Sequence, residues 1–463
     1  MSRCICASAA ALMLAGCAAG PRPVSTVAPL PTAAAFVTIG QALAADRDVP
    51  AHWWHLYNDP VLDRLIERAL SANQNLKIAS AHLLEAQGLL SEARAGRFPS
   101  STLSGGPKYD RTGQIAGVKG PGTLDYAASL TAAYQIDLFG RISRTITAAR
   151  ADAEALRATR DAVAVTIVAQ TASAYATACG FGRQERVANA SLGLAQQAYE
   201  IAKAQSSAGA LSNFDLARQG VVLEQTRALV APVQGQRRAA LFALADLIGA
   251  RPDQIPPEVA ACQTPPRLGH PIPVGDGTAL LRRRPDLRAA ERGLEAANAR
   301  IGVAWADLYP TITLGGSIGQ DTSQNGGVSS AAALSYSVGP LITWSFPNIL
   351  VAKAHIRQAK ARAKAAQAGF DATVLQSLQE VETALSIYAA ELDHEGALRA
   401  ARDHADEAAR LAKVQADAGT TSFLDLLQAQ QTAILADQAL AASEQAVSAD
   451  QIAVFQALGG GWE

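Results

Sequence analysis

Thr123-Leu124-Asp125-Tyr126-Ala127-Ala128-Ser129-Leu130-Thr131-Ala132-Ala133-Tyr134-Gln135-Ile136-Asp137-Leu138 alternates almost residue by residue. Leu124, Tyr126, Ala128, Leu130, Ala132, Tyr134, Ile136 and Leu138 fall on one side, and Asp125, Ser129, Thr131, Gln135 and Asp137 on the other. Successive side chains of an extended chain point to opposite faces, so a period of two predicts a β-strand with one apolar and one small polar face. The run exceeds the ~9–11 residues that a tilted strand needs to cross a bilayer, which is the pattern of an outer-membrane barrel strand. An amphipathic strand in a soluble sandwich is the alternative that this stretch alone leaves open.

The pattern recurs. Leu334, Tyr336, Val338, Pro340, Ile342, Trp344 and Phe346 alternate with Ser335, Ser337, Thr343 and Ser345, predicting a strand over about 331–347. Shorter partners are read at 310–320, with Ile312, Leu314 and Ile318 on one face, and at the Gly-rich 100–109. Four strands cannot close a membrane barrel, since the smallest need about eight. An open edge in lipid leaves backbone groups unpaired at several kcal/mol each, so the chain must oligomerise. Two copies would make a barrel filled by its own side chains; three would make twelve strands with room for a pore.

The strand pairs sit in two imperfect copies of one unit, offset by about 210 residues, as from Asp215 to Asp425. Ala208-Gly209 falls on Ala418-Gly419, Phe98-Pro99 on Tyr309-Pro310, and Leu247-Ile248-Gly249 on Ala457-Leu458-Gly459. The first repeat is read as 51–250, a Pro-rich linker as 251–278, the second repeat as 279–460 and a short tail as 461–463. Residues 141–205 contain no proline, and a helix of that length would be on the order of 100 Å long. Val165, Val168, Ala172, Tyr175 and Cys179 step by three and four within it, as do Val374, Leu378, Val381, Leu385, Tyr388 and Leu392 in the second repeat. Such seams predict helices paired as coiled coils.

At the N-terminus one Arg, Arg3, precedes a short apolar run ending in Leu14-Ala15-Gly16-Cys17. This is the layout of a signal peptide, 1–16, followed by a Pro- and Ala-rich tether, 17–50. Leu-Ala-Gly-Cys resembles the lipobox of bacterial lipoproteins, which makes Cys17 the expected acylation site, with Ala18 behind it favouring the outer membrane. Beyond Cys17 only Cys179 and Cys262 remain; a disulfide between them is permitted in an oxidising periplasm, but spacing does not establish it.

A formal net charge of −1 with no basic block speaks against nucleic acid as a partner. Gly315-Gly316-Ser317-Ile318-Gly319 matches a nucleophile-elbow pattern but lies in an alternating strand instead of a strand-to-helix turn. His394-Glu395 lacks the second His of a zinc motif, and no phosphate-binding loop occurs. The chain is therefore read as a non-enzyme, without cofactor or metal.

Four segments in order carry a resemblance over nearly the whole mature chain: Trp53-Trp54 with Asp59-Pro60; Tyr134-Gln135-Ile136-Asp137-Leu138-Phe139-Gly140-Arg141; Arg283-Arg284-Pro285-Asp286-Leu287-Arg288; and Ala297-Asn298-Ala299-Arg300-Ile301-Gly302 leading to Tyr309-Pro310. These resemble the TolC-type outer-membrane efflux proteins, in their NodT-like lipoprotein branch. The resemblance implies a mainly α fold with a small β part: a homotrimer with a twelve-stranded outer-membrane β-barrel continuous with a periplasmic α-barrel. It also implies docking on a periplasmic adaptor (membrane fusion) protein and an RND-type inner-membrane transporter. The helix turns around Gly209 and Leu211, and around Gly419, Thr420 and Thr421, are then the adaptor-facing tips. Asp425 and Asp215, with Phe423 and Leu424, are then the periplasmic gate, Asp425 as one member of an anionic ring; a bare helix-end carboxylate is the simpler reading of both Asp residues. Ala416, Thr421 and Gln428 depart from the family pattern near that gate, which puts a polar latch in doubt and favours closure by packing of Phe423, Leu424, Leu426 and Leu427. A duct for type I protein secretion and a periplasmic coiled-coil scaffold are the competing readings.

Overall fold

The computed structural model describes residues 43–44, 49–110, 123–275, 280, 283–321, 334–345 and 349–460. The signal segment, Cys17, Phe346 and the tail 461–463 lie outside the described residues. The chain divides into two compact units, one built from residues within 82–157 and 289–371, the other from residues within 28–81, 158–288 and 372–463.

The first unit holds a four-stranded antiparallel sheet of β2 (Ser100–Asp110), β3 (Thr123–Ile136), β5 (Thr311–Asp321) and β6 (Leu334–Thr343), in the order β2-β3-β5-β6. The register turns the alternation of each strand into rows that cross the whole sheet. Leu103, Leu130, Ile318 and Tyr336 are paired in one row, and the adjacent row is Thr102, Thr131, Ser317 and Ser337. Along the polar face Ser104 and Ser129 hydroxyls meet at 2.8 Å and those of Ser317 and Ser337 at 2.9 Å. Ser317, the centre of the nucleophile-like pattern, is thus a cross-strand hydrogen-bonding residue in mid-strand. The apolar row is exposed, Leu103 by 79% and Tyr336 by 83%. Pro107 and Pro340 sit on the two outer strands.

Asp137 ends the strand run and starts the helix α3 (Arg141–Ser207). Its carboxylate accepts from the Ile142 and Ser143 amides at 2.9 and 2.8 Å and from the Ser143 hydroxyl at 2.7 Å, satisfying groups left open at a helix start. Phe139 stacks on Tyr309 at 4.5 Å, and Arg141 pairs with Asp307 at 2.8 Å. Gly302, in α6 (Pro285–Ala306), leaves the room that the Arg144 side chain occupies. The Gly and the aromatics of the quoted motifs therefore meet at one strand-to-helix junction.

The second unit contains α1 (Pro60–Ala72), α4 (Asn213–Leu247), α8 (Phe423–Ala457) and long stretches of α3 and of α7 (Ile349–Asp417). The two seams are buried: Val165, Val168, Ala172, Tyr175 and Cys179 in α3, and Val374, Val381, Leu385 and Tyr388 in α7. One window of α3 is apolar enough to cross a membrane, but 61% of it is buried within the protein, as in a packed helix. Trp53 is fully buried, stacked on Phe455 at 4.7 Å, and Asp59 caps α1 while accepting from the Tyr175 hydroxyl at 2.9 Å. Arg284 of the Arg-Arg-Pro-Asp motif donates to the Ala457 carbonyl at the end of α8 and pairs with Asp286 and Glu380.

The linker is more ordered than a Pro-rich stretch suggests. Its Ile272–Pro273 pairs in parallel, as β4, with Leu43–Ala44, β1, from the segment read as an extended tether. Cys262 is disulfide-bonded to Cys179 of α3. Arg237 of α4 donates to the Ala260 and Cys262 carbonyls, and Gly182 admits the Cys262 backbone against α3. On the other side Arg267 pairs with Glu395 of α7, which also holds Arg399; Ser448 donates to the Pro266 carbonyl, and the Leu268 amide donates to Gln451. The Glu395 side chain is 4% exposed. Burial pushes its carboxyl up, yet the hydrogen bonds from Arg267 and Arg399 outweigh burial and hold it below the usual carboxylate range.

Candidate functional site

The helix turns of the second unit are built alike. At the end of α3 the Gly209 amide donates to Ser206 O at 3.0 Å and the Ala210 amide to Gln205 O at 2.8 Å. At the end of α7 the Gly419 amide donates to Ala416 O at 3.0 Å and the Thr420 amide to Gln415 O at 2.9 Å. This paired closure needs a left-handed residue after the helix, and Gly209 and Gly419 supply it at φ 73° and 70°. A side chain at either position would meet the left-handed strain although nothing crowds the space around it. Leu211 and Thr421 are half-buried behind these turns, whereas Gly209, Gly419 and Thr420 are exposed.

Each returning helix starts with a serine three residues before the aspartate. Ser212 accepts from the Asp215 amide at 3.1 Å and its hydroxyl donates to the Asp215 carboxylate at 2.7 Å. Ser422 accepts from the Asp425 amide at 3.1 Å and donates to the carboxylate at 2.6 Å; the Ser422 amide donates to the same oxygen at 3.3 Å, and so does the Thr421 hydroxyl at 3.2 Å. The second turn is thus a complete capping box. The Ser422 hydroxyl, then the Thr421 hydroxyl, then the Ser422 amide hold the Asp425 carboxyl below the usual carboxylate range. The sequence signal for this, Ser-x-x-Asp before an apolar run, was in plain view in both repeats.

The two aspartates differ in company rather than in place. Asp215 lies 4.0 Å from the Arg218 guanidinium, which itself sits 5.9 Å from the Phe214 ring centre. Asp425 has no such cation beside it among the described residues. Phe214 is 71% exposed and Leu424, in the matching place, 47%. Phe214 and Arg218 are residues that reading by family resemblance passed over.

Leu424, Leu427 and Gln428 of α8 form one wall of a groove of about 450 Å³, with Leu194 and Ala198 of α3 and Arg218, Val222 and Gln225 of α4 opposite. This places Leu424 and Leu427, two of the residues read as gate packing, against the first hairpin. Phe423 opens α8 as its first residue. Gln428, one of the departures from the family pattern, puts a neutral amide on the groove. The turns thus bring together Gly209, Leu211 and Asp215 in one hairpin and Gly419, Thr420, Thr421, Leu424 and Asp425 in the other. What they offer is a charged, capped helix end, and among the described residues no cluster of three or more His, Cys, Asp or Glu side chains forms a metal site.

Comparison with known proteins gives one consistent result. The family described as "Outer membrane efflux protein" matches residues 65–250 and 278–460. The chain is 29% identical over 447 residues to "Nodulation protein T" of Rhizobium leguminosarum bv. trifolii, covering 94% of this chain and 92% of that protein. It is 26% identical over 451 residues to "Cation efflux system protein CusC" of Escherichia coli K12, covering 97% and 98%. Among solved structures, the outer-membrane channel OprN superimposes with a TM-score of 0.87 at 32% identity, over 96% of this chain and all of that one.

Proposed function

Since this chain belongs to the outer membrane efflux protein family, we infer that three copies of it close into one passive duct, the outer-membrane component of a tripartite efflux system. The observation that supports this most directly is the sheet: four strands, both outer edges unpaired among the described residues, and a continuous apolar row exposed beside a continuous polar one. Such a sheet satisfies its backbone in lipid only when neighbouring copies complete a barrel. Cys17 carries the acyl anchor that holds the mature N-terminus at the membrane.

The two capped turns form the periplasmic mouth. Gly209, Leu211, Gly419, Thr420 and Thr421 meet the periplasmic adaptor protein, and an RND-type transporter in the inner membrane supplies the energy. Three Asp425 carboxylates face the axis as an anionic ring that attracts cations, while Asp215, with the Arg218 guanidinium 4.0 Å away, contributes less. Closure rests on the Leu424 and Leu427 groove in place of a charged latch. The chain is similar both to a relative named for nodulation and to one named for cation efflux, which supports a general duct whose cargo is selected by the inner-membrane partner.

Deleting the protein should sensitise cells to small toxic compounds, with wild type restoring resistance and Leu130→Arg failing to. Retention of a secreted polypeptide, with unchanged sensitivity to small compounds, would identify a protein-secretion duct instead. In planar bilayers Asp425→Ala should lose cation selectivity and divalent block; equal values for variant and wild type would reduce Asp425 to its capping role.

A further inference from the structure

The opening turns of α7 carry Lys353, Arg357, Lys360, Arg362 and Lys364, and no acidic residue appears before Asp371. Lys353, Arg357, Lys360 and Lys364 are spaced by four, three and four, so on a helix of about 3.6 residues per turn they form one stripe. The packed side is a different one: Ala352, Ile356, Ala359 and Ala363 are buried, and Ile356 and Ala359 pack with Ala304, Trp305 and Leu308. All four cations are exposed. Lys353, Arg357 and Lys364 have no carboxylate partner among the described residues, and Lys360 lies 5.8 Å from the centre of the Trp305 ring. Like charges three and four apart repel along a helix, so the stripe is unfavourable until something anionic meets it.

Several large apolar side chains described just before the stripe are equally open. Trp344 at the end of β6 is exposed, as are Ile349 and Leu350, the latter by 81%. Ile349 and Leu350 flank the axis of the cationic stripe one turn above it. Within two helical turns the surface thus passes from apolar to uniformly basic, the order in which a bilayer presents acyl chains and then headgroups.

We propose that Lys353, Arg357, Lys360 and Lys364 form a docking surface for anionic phospholipid headgroups in the periplasm-facing leaflet of the outer membrane. The surface rests on the outer-membrane placement of the sheet that precedes it. A headgroup layer is about 5–8 Å thick. At about 1.5 Å rise per residue Lys353 and Arg357 span that layer. Lys360 and Lys364 lie deeper in the periplasm and reach back along their aliphatic stems. The bound lipid would hold the first turns of α7 at a fixed depth.

The purified full-length protein in nanodiscs of phosphatidylcholine with a minority of phosphatidylglycerol tests this, with native mass spectrometry counting retained lipids. Wild type should retain phosphatidylglycerol over phosphatidylcholine, and raised salt should erase the preference. Substituting all four residues by alanine should weaken it by on the order of fivefold per charge removed, and substituting the three lysines by arginine should preserve it. No preference in wild type overturns the proposal, whether or not the variants assemble. The proposal also fails if the alanine variant keeps the preference. It fails equally if that variant changes ion selectivity in neutral phosphatidylcholine bilayers, because the stripe would then line the aqueous passage.

Discussion

Asp425 caps its own helix and, in the duct proposed above, would also carry the charge at the entrance. The hydrogen bonds from Ser422 and Thr421 that complete its capping box also favour its ionised form, so the carboxylate keeps its charge at mildly acidic pH. Ser422→Ala removes the first of these, and the Asp425 pKa should rise toward the ordinary carboxylate value. Cation selectivity of the variant should accordingly disappear at a higher pH on acidification than in wild type, measured as reversal potential in planar bilayers. Glu395 is the buried counterpart. Its depressed pKa contributes stability that is complete above the unfolded value of about 4.3 and is lost as pH falls through the folded value. Glu395→Ala strands Arg267 and Arg399, both partly hydrated, so the loss should sit near the low end for a broken buried pair, about 3 kcal/mol. Thermal melts should show this deficit at pH 7 and a narrower gap between variant and wild type near pH 4.

At the scale of elements the sheet and the linker make opposite cases. Leu130 and Thr131 are neighbours in β3 but belong to adjacent rows, one apolar and one polar across all four strands. Leu130→Arg should destabilise by roughly 2–4 kcal/mol near the bilayer midplane, and Thr131→Arg much less, as read from melting in detergent and from yield in membranes. Those strands were legible because two different surroundings impose a period of two on the sequence. The helices were legible because their seams repeat by three and four. The linker was not: Cys179 and Cys262 are 83 residues apart, and sequence separation says nothing about which thiols meet. Nor did its prolines announce the pairing of Ile272–Pro273 with Leu43–Ala44 or the Arg267–Glu395 pair, because tertiary contacts of short segments leave no periodic trace. In the candidate site the glycine turns and the aspartates could be read directly. The Ser212 and Ser422 caps could have been, while Arg218 on Phe214 could not. Cys179→Ser and Cys262→Ser should destabilise the protein alike, by up to about 4–5 kcal/mol in the chain-entropy account, read as a lowered melting temperature, and a reductant should add nothing to either variant.

For the whole molecule the controlling fact is that, among the described residues, each chain brings one four-stranded sheet with two free edges. A free edge in hydrocarbon costs several kcal/mol for each unpaired backbone group, which rules out a single inserted chain as the stable species. The apolar row runs unbroken from β2 to β6, so whatever pairs with the outer strands must continue the same alternation, and another copy of the chain does. Two copies would supply about eight strands, whose interior is filled by side chains, and three would leave a lumen. The number of copies is therefore the decisive quantity for transport. Co-expressing the chain with and without a mass tag should yield complexes carrying none, one, two or three tags, resolved by native mass spectrometry in detergent. Three tag states would mean a dimer without a pore, and two would mean a monomer; either result would remove the duct. Four states, with conductance in planar bilayers from the same preparation, are the outcome expected of a barrel closed only between chains.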